Sequence, residues 1–377
     1  MLHLEVDARL LQAGGIGRFI RETTSRWLNR RHVASIRFLG RPKEIEPWLA
    51  QLECADRAEI LPWDARPFTA SAQLTWLTKV RAQATWEPDV TLFPHFDIPV
   101  LQHPKHSVTV VHDLIQFELK DLFPGWKRFV ASGLLRRTAS RPRRVVTVSQ
   151  ASRASLLHFF AGRVSDVDVV PNGVSQVFRP LTVEEQTSKS EDSPFLLCVA
   201  EDRPHKNLSL AMQVLSSLPE REGWRLVMVG PTRTDIEAIC KRTGCLHVLP
   251  RVESTGKISD DQLRKLYCEA LAVLVPSLLE GFALPAYEAR ACGQQVLALR
   301  RPWSEKLDRI GVRLLASTNP RLWARMLLKV RSEKSVSKMI KSEVEVPRWD
   351  DTADRLLGVL QQCAKGFLEY QLSLIHI

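Results

Sequence analysis

The sequence predicts an α/β protein with two doubly wound parallel-sheet domains. Short apolar runs rich in Val, Leu and Ile alternate along the chain with longer segments of helical period, which is typical of parallel sheets covered by helices. The 377 residues suffice for two domains with cores of ordinary size. Between Pro180 and Pro194 lies a polar stretch without periodicity, which indicates a linker.

Each half of the chain supplies its own strands and helices. The strand candidates of the first half are LHLEVDA, ASIRFLG, DVTLFP, SVTVVHD, RVVTVS and VDVVPNG. Those of the second half are PFLLCVA, RLVMVG, LHVLPRV, LAVLVPS and QQVLALR. The predicted helices include residues 17–30, 126–138, 151–160, 207–217, 260–270 and 286–292. In such sheets we expect a ligand at the carboxyl ends of the strands, in a crevice between the two domains.

The predicted domain order follows from these elements. Residues 1–180 form the N-terminal domain, 181–193 the linker, 194–345 the C-terminal domain, and 346–371 a helix that returns to the N-terminal domain. The last six residues, 372–377 with the sequence LSLIHI, do not continue the pattern of that helix. We expect them to be an artefact of sequencing and exclude them from the predicted fold.

Composition limits the environment of the protein. Its seven cysteines are scattered and form no CxxC pair, which argues against a zinc site and for a reducing compartment. No signal peptide is visible, and no apolar run reaches the roughly 20 residues that a membrane-spanning helix needs. We therefore expect a cytoplasmic protein, at most attached to the inner face of the cell membrane.

The formal net charge of +11 predicts an anionic partner, such as an anionic lipid or a phosphorylated small molecule. A basic, amphipathic segment surrounds Trp126 and Phe129, and two interpretations of it stay open: peripheral docking to anionic membrane, or a core helix with a solvated basic face. No recognition motif for nucleic acid accompanies it, and we expect no nucleic-acid partner. The arginines of this segment are Arg136, Arg137, Arg141, Arg143 and Arg144.

The segment EGFALPAYE carries the strongest local signal for a binding site. A buried strand is followed by a turn and by a helix that opens at Pro285, a residue suited to the first helical turn. The backbone amides of residues 281–284 then face outward at the positive end of the helix dipole, ready for an anion or a sugar oxygen. Glu280 before the turn and Glu288 in the first helical turn can accept hydroxyl hydrogen bonds from one ligand. On local grounds alone, a dipole-capping Glu288 and a solvated Glu280 explain the segment equally well.

In its context, this segment resembles the Glu-x7-Glu motif of the large retaining GT-B glycosyltransferase family, family four in the usual classification. The resemblance extends from Val6 to about Leu357, because further motifs of the family follow in order and at comparable spacing. They are AGGIGRFIRE, VVHDL, VVTVSQASR, VVPNGV, RPHKNL, DDQLRKLYCEA and RWDDTA.

The resemblance implies a role for each residue of the segment. Glu288 accepts hydrogen bonds from the ribose hydroxyls of a nucleoside-diphosphate sugar, and Glu280 holds the transferred sugar. Backbone amides complete the donor site, three of them facing the sugar and the last facing the diphosphate: Gly281, Phe282, Ala283 and Leu284.

A lysine follows from the same resemblance. Lys206 matches the family lysine that neutralises the diphosphate, and a fixed cation there stabilises the growing charge of the leaving group most in the transition state. Many relatives carry an arginine five positions earlier, where this chain has Glu201. Arg203 is the candidate to replace that cation.

Two further residues of the first domain complete the implied site. Gly15 lies in a glycine turn after the first strand and is expected to approach the donor diphosphate and the acceptor. His112 ends the fourth predicted strand run and matches a family histidine that lies beside the donor sugar. We interpret the adjacent Asp113 as a cap of its loop rather than a base.

We expect neither a metal nor a cofactor. Asp166 and Asp168 imitate the Asp-x-Asp metal site of the other large glycosyltransferase fold, but no further carboxylate or histidine clusters near them in the sequence. No GxxxxGK[ST], HExxH or GxSxG motif is present, which argues against NTPase, zinc protease and serine hydrolase activities.

The predicted function is transfer of a hexosyl group, of mannose or glucose type, from a nucleoside-diphosphate sugar to a hydroxyl acceptor. The resemblance implies retention at the anomeric carbon. The basic charge favours a phosphorylated or lipid-linked acceptor, as in surface polysaccharide synthesis. Two alternatives are a GT-B sugar-nucleotide epimerase and a non-catalytic sugar-nucleotide-binding protein.

Overall fold

The structure is a computed structural model in which the chain forms two compact units. One unit comprises Met1–Gly173 with Trp349–Ile377, and the other comprises Val174–Arg348. The residues described are 1–99, 103–104, 106–138, 144–161, 164, 167–182, 184–185, 194–336 and 344–375. The first unit is called unit 1 below and the second unit 2.

The sheet of unit 1 has seven parallel strands in the order β3-β2-β1-β4-β5-β6-β7. The strands are β1 Leu2–Asp7, β2 Val33–Gly40, β3 Ala58–Pro62, β4 Val90–Phe93, β5 Ser107–Val111, β6 Arg144–Thr147 and β7 Val167–Val169. The central strands β4 and β5 are buried along their whole length, because helices cover both faces of a doubly wound sheet. The described helices of unit 1 are α1 Gly14–Leu28, α2 Pro42–Leu49, α3 Ala70–Thr75, α4 Arg81–Gln83, α5 Ile115–Glu118, α6 Gly125–Thr138, α7 Gln150–Phe159 and the C-terminal Trp349–Ile375.

Unit 2 repeats this plan with six parallel strands in the order β10-β9-β8-β11-β12-β13. The strands are β8 Phe195–Val199, β9 Arg225–Val229, β10 Val252–Gly256, β11 Ala272–Val275, β12 Val296–Leu299 and β13 Arg313–Leu315. The helices are α8 Leu208–Ser216, α9 Arg233–Thr243, α10 Asp260–Glu269, α11 Leu284–Ala291 and α12 Pro320–Val336, and the C-terminal helix of unit 1 is therefore α13. Two Rossmann-like parallel-sheet units confirm the predicted fold class.

The boundary between the units lies at Gly173, whereas the sequence pattern predicts it at Pro180. The Val174 amide donates to the Pro347 carbonyl at 2.7 Å, which ties the chain after Gly173 to the last segment of unit 2. Most of the predicted linker 181–193 lies outside the described residues.

Helix α13 belongs to unit 1, where it packs on α1. The Trp27 indole donates to the Ala353 carbonyl at 2.9 Å, and Arg26 pairs with Asp350 at 3.1 Å. The helix continues to Ile375, so most of the LSLIHI segment is helical and not a separate tail.

One strand prediction is wrong. LHVLPRV forms a 3-10 helix, Leu246–Arg251, which turns the buried Val248 into the core of unit 2. The strand is the more polar stretch that follows, β10, which lies at the edge of the sheet. The short strands β3 and β13 are at or near sheet edges as well, where weak apolar patterning leaves little signal in the sequence.

Among the described residues, no helix combines the length and the apolar character that crossing a bilayer requires.

The strand order fixes where each unit can hold a ligand. The order reverses between β1 and β4 in unit 1, and between β8 and β11 in unit 2. At such a switch point the loops that leave the carboxyl ends of the two neighbouring strands diverge, and the crevice between them is the usual ligand site of an open α/β sheet. The residues after these four strands are therefore the first candidates for function.

Candidate functional site

The switch point of unit 2 brings together a lysine and a glutamate. Lys206 comes from the loop after β8 and Glu280 from the loop after β11. The Lys206 Nζ donates to both carboxylate oxygens of Glu280, at 2.7 Å each, and the two side chains are 20% and 11% exposed. Two charged residues predicted from distant sequence motifs thus form one ion pair.

Cross-links between the two loops hold this pair in place. Asn207 adopts a left-handed backbone (φ 51°) and donates through Nδ2 to the Pro276 carbonyl at 3.1 Å. The Leu278 amide donates to the His205 carbonyl at 2.8 Å. The Ser277 hydroxyl donates to Glu280 Oε1 at 2.6 Å and so orients the carboxylate.

Helix α11 begins directly after the glutamate loop. Ala283 precedes it in a left-handed conformation (φ 64°), and Pro285 occupies its first turn, as predicted from the sequence. The rings of Phe282 and Tyr287 stack with centroids 4.6 Å apart, which fixes the turn against the helix. The amides of residues 281–284 therefore lie at the start of this helix, next to Glu280.

Glu288 lies in the second turn of α11, one turn further along than the sequence analysis placed it. Its side chain is buried, and the Tyr267 hydroxyl of α10 donates to Oε2 at 3.0 Å. A buried carboxylate with a hydroxyl partner keeps acceptor capacity on its remaining lone pairs. Tyr267 is a site residue that the sequence analysis missed, although it lies within the quoted motif DDQLRKLYCEA.

Two titratable side chains beside the ion pair are uncharged at pH 7. Burial, and then the nearby Lys206 charge, lower the pKa of His205 to about 4, so this histidine is neutral at pH 7 and does not compete with the lysine. Burial raises the pKa of the Cys198 thiol to about 12, which leaves that side chain unreactive.

The cation proposed in place of the missing family arginine is already paired. Arg203 Nε donates to Glu201 Oε2 at 2.8 Å, and both side chains are exposed. Glu201, the residue that departs from the family pattern, therefore partly neutralises Arg203. Lys206 is the better placed cation of the two, because it is the less exposed and lies at the switch point.

In unit 1, the glycines predicted to form a turn after β1 instead lie in the first turn of helix α1. Gly14 has a positive φ of 33°, and Gly17 packs so closely on the Leu11 carbonyl that a Cβ would clash. A Cβ at Gly15 would meet no heavy atom within 4 Å. Open space beside Gly15 suits the close approach of a ligand to the backbone.

His112 follows β5 and is held on several sides. Its Nε2 lies 3.1 Å from the Pro94 carbonyl, its ring packs edge-on against Phe19, and the Ser152 hydroxyl donates to its carbonyl at 2.8 Å. Burial lowers its pKa to about 4, so the ring is neutral at pH 7. The Asp113 carboxylate accepts from the Ile115 amide at 3.3 Å, which is the capping role inferred for it.

A buried charged network at the switch point of unit 1 was not predicted from the sequence. Arg9 pairs with Asp7 at 2.6 Å and with Asp97 at 3.2 Å, and His95 Nε2 lies 3.2 Å from Asp7. All four side chains are buried. Asp7 ends β1, and His95 and Asp97 follow β4, so the strand-end rule applied to FPHFDIP would have found them.

One aspartate of the Asp-x-Asp motif forms an ion pair with an arginine. Asp168 pairs with Arg144 at 3.2 Å, while Asp166 lies outside the described residues. Within the described ranges, no group of three or more His, Cys, Asp and Glu side chains is arranged to hold a metal ion.

Two family models match the chain in succession. The model described as Glycosyltransferase Family 4 matches residues 13–176, and the model described as Glycosyl transferases group 1 matches residues 182–342. Together they cover most of the chain. The chain therefore carries glycosyltransferase domains of two kinds, a Family 4 domain followed by a group 1 domain.

Several relatives are similar in sequence to part of the chain. An MMP alpha-(1->4)-mannosyltransferase of Mycolicibacterium hassiacum is 30% identical over 188 residues, which cover 48% of this chain and 42% of the relative. The O-antigen chain mannosyltransferase RfbU of Salmonella typhimurium is 25% identical over 54% of both chains. A D-inositol 3-phosphate glycosyltransferase of Segniliparus rotundus is 25% identical over 78% of this chain and 65% of its own. The chain thus spans about half the length of the relatives it matches.

Solved structures share the fold over the whole chain. Anabaena HepE, crystallised in complex with UDP and glucose, has a TM-score of 0.66 and 16% identity, covering 99% of this chain and 100% of its own. A glycosyltransferase from Rickettsia africae has a TM-score of 0.70 and 16% identity, covering 96% and 98%. At this identity, the likeness concerns the fold alone.

Proposed function

We propose that the protein transfers a hexosyl group, of mannose or glucose type, from a nucleoside-diphosphate sugar to a hydroxyl acceptor, with retention at the anomeric carbon. The observation that carries the proposal is the Lys206–Glu280 pair at the switch point of unit 2, with Glu288 on the helix that follows. The mannosyltransferases among the relatives support the type of sugar.

Each residue of the pair has a distinct task toward the donor. The diphosphate takes Lys206 as its counter-ion, and the Glu280 carboxylate turns to accept hydrogen bonds from sugar hydroxyls beside the amides of Gly281, Phe282 and Ala283. Leu284 offers its amide to the diphosphate, and Arg203 contributes to it when released from Glu201. Glu288, held by Tyr267, accepts from the ribose.

The reaction breaks the bond between the anomeric carbon and the diphosphate oxygen and forms a bond from that carbon to the acceptor oxygen. The acceptor proton passes to an oxygen of the departing phosphate, so neither glutamate becomes a covalent nucleophile. Lys206 stabilises the charge that develops on the leaving group, a task for which we propose no metal. In unit 1, the neutral His112 donates through Nε2 to the Pro94 carbonyl and so offers Nδ1 as an acceptor for a sugar hydroxyl, and Gly15 leaves room for a ligand.

We further propose peripheral contact with anionic membrane through the start of α6, at the cytoplasmic face. Three apolar side chains on this helix face solvent: Trp126 is 66% exposed, Phe129 82% and Val130 46%. Arg136 on the same helix is exposed as well. Solvent-facing aromatics beside arginine are typical of interfacial helices, which bind by apolar burial and by attraction to anionic headgroups. Arg137, Arg141 and Arg143, predicted to join this surface, have side chains outside the described residues.

The test is a screen of GDP-, UDP-, ADP- and dTDP-sugars, first for binding by thermal shift and then for nucleoside diphosphate release with simple glycoside acceptors. A ligand at a hundredfold over its dissociation constant adds about 2.7 kcal/mol to stability. Release that depends on acceptor, with a product of unchanged anomeric configuration by NMR, supports the proposal. Donor conversion without acceptor would identify an epimerase instead, and binding without turnover a non-catalytic protein.

A further inference from the structure

Phe68 in unit 1 combines two unfavourable features for a phenylalanine. Its backbone is left-handed (φ 62°), a conformation that suits glycine and is rare for a bulky side chain, and its ring is 50% exposed. The residue follows Pro67 in a turn, where glycine would remove the strain. A solvent-facing ring contributes little burial in return, so the fold alone gives no reason for this residue.

The buried charged network holds Phe68 in this conformation. The Asp97 carboxylate accepts from the Phe68 amide at 2.7 Å and pairs with Arg9 at 3.2 Å. Arg9 in turn lies over the Trp63 ring, with its guanidinium carbon 3.5 Å from the ring centroid. Two buried ionic side chains, each with a cost of desolvation, thus fix one exposed aromatic residue. Strain that is stabilised from several sides occurs mainly at ligand-binding positions.

The Phe68 ring also contacts two neighbouring rings. It lies 5.8 Å from the His95 ring and 5.4 Å from the Phe96 ring, centroid to centroid, so its orientation is limited by two neighbours. His95 follows β4, and His112 follows the neighbouring strand β5. Phe68 therefore belongs to the same strand-end edge of unit 1 as His112.

We propose that Phe68 is a stacking platform for a pyranose ring of the acceptor glycan, and that Asp97 and Arg9 are its positioning residues. A pyranose has an apolar face of C–H groups that packs on an aromatic ring, while its hydroxyls stay free for polar partners. The inference rests on the proposed function, because it assigns the acceptor to unit 1 while the donor groups lie in unit 2.

Ligand-observed saturation-transfer NMR with methyl α-glycosides of mannose, glucose and galactose tests the platform directly. In the wild type and in Phe68→Tyr, we expect saturation of the ring protons of at least one glycoside; in Phe68→Ala, the signal falls about tenfold. Phe68→Gly should fold with an unchanged or higher melting temperature and show the same loss of signal. Leu74→Ala, which removes another exposed apolar side chain (62%) in α3, is the matched control and should bind as the wild type does.

Equal saturation in Phe68→Ala and the wild type, or no saturation of any glycoside in the wild type, would overturn the assignment. The same samples separate this result from the proposed function. Nucleoside diphosphate binding measured on Phe68→Ala should equal that of the wild type, since the donor groups of unit 2 are untouched. Loss of acceptor binding with intact donor binding supports the platform, whereas a wild type that binds no nucleoside diphosphate refutes the proposed function instead.

Discussion

Lys206 and Glu280 form a bidentate ion pair, with Nζ 2.7 Å from each carboxylate oxygen, between the loops that leave two neighbouring strands. Both side chains are largely shielded from solvent, so screening by water and salt is reduced and the pair orders both loops. A donor diphosphate would replace Glu280 as the partner of the lysine and release the carboxylate toward the sugar. The pair is thus a preformed site whose two halves separate on binding.

Lys206→Ala should weaken nucleoside diphosphate binding by about 10- to 100-fold, because a charge-assisted contact contributes about 1.5–3 kcal/mol. Isothermal titration with the nucleoside diphosphate selected by the donor screen measures this change. Lys241→Ala, at an exposed position of α9, is the control and should leave affinity unchanged. Equal affinity of Lys206→Ala and the wild type would show that Lys206 does not bind the nucleoside diphosphate.

Tyr267→Phe removes the hydroxyl that donates to the buried Glu288. We expect a loss of about 1–2 kcal/mol in the free energy of unfolding, since a buried charged acceptor loses a partner. The KM for the donor should rise several-fold with kcat nearly unchanged, because the ribose is bound alike in ground and transition states. Tyr287→Phe keeps the ring that stacks on Phe282 and leaves Glu288 untouched, so its donor KM should match the wild type.

Glycine substitutions separate binding from folding. Gly15→Ala meets no heavy atom within 4 Å and lies in helix α1, so stability should stay constant or rise by up to about 1 kcal/mol, while donor turnover falls. Gly230→Ala, with φ 113° and its Cβ 2.5 Å from the Ala200 carbonyl oxygen, should cost more than about 2 kcal/mol of stability. Gly133→Ala, also in open space within a helix, should affect stability in the same way and leave donor turnover unchanged. Full turnover by Gly15→Ala would contradict the proposal that Gly15 leaves room for a ligand.

Acid should destabilise both units through their histidines. The pKa values of His112 and His205 are lowered to about 4, from 6.5 in an unfolded chain. Between pH 6.5 and 4 the unfolded state therefore binds more protons, and the stability present above pH 6.5 is lost as the pH falls. For His205 the loss amounts to at most about 3 kcal/mol. Urea unfolding at pH 7.5 and pH 5 should show a smaller difference in His205→Gln than in the wild type; an equal difference would exclude this histidine as a source.

If α6 contacts the membrane, replacing its two exposed aromatic residues should weaken binding to lipid vesicles. The Trp126→Ser, Phe129→Ser double variant should lose at least about tenfold in binding to phosphatidylglycerol vesicles, because two large exposed aromatics no longer enter the interface. Co-sedimentation at low and high salt measures this. Leu246→Ser, at a 55% exposed position of unit 2, is the control. If the double variant sediments with vesicles as the wild type does, Trp126 and Phe129 do not contribute to membrane binding.

Periodicity was sufficient for the fold class and for most of the strands, because alternation of buried runs and helices is a global property of the chain. It failed for LHVLPRV, where an apolar run of strand length packs as a 3-10 helix. Motif spacing located Lys206 and Glu280 but not their bidentate contact, which depends on loop cross-links such as that from Asn207 to Pro276. Tyr267 was missed because its role follows from its tertiary neighbour Glu288. Asp97 was missed although it follows β4, where the strand-end rule would have found it.

The central claim is that Glu280 holds the transferred sugar at a donor site of unit 2. Nucleoside diphosphate release, measured for the wild type and for Glu280→Ala with the preferred donor and acceptor, tests it most directly. We predict a loss of at least about 100-fold in turnover with a cooperative unfolding transition retained, and wild-type turnover for the control Glu237→Gln, at an exposed position of α9. Wild-type turnover by Glu280→Ala would contradict the site.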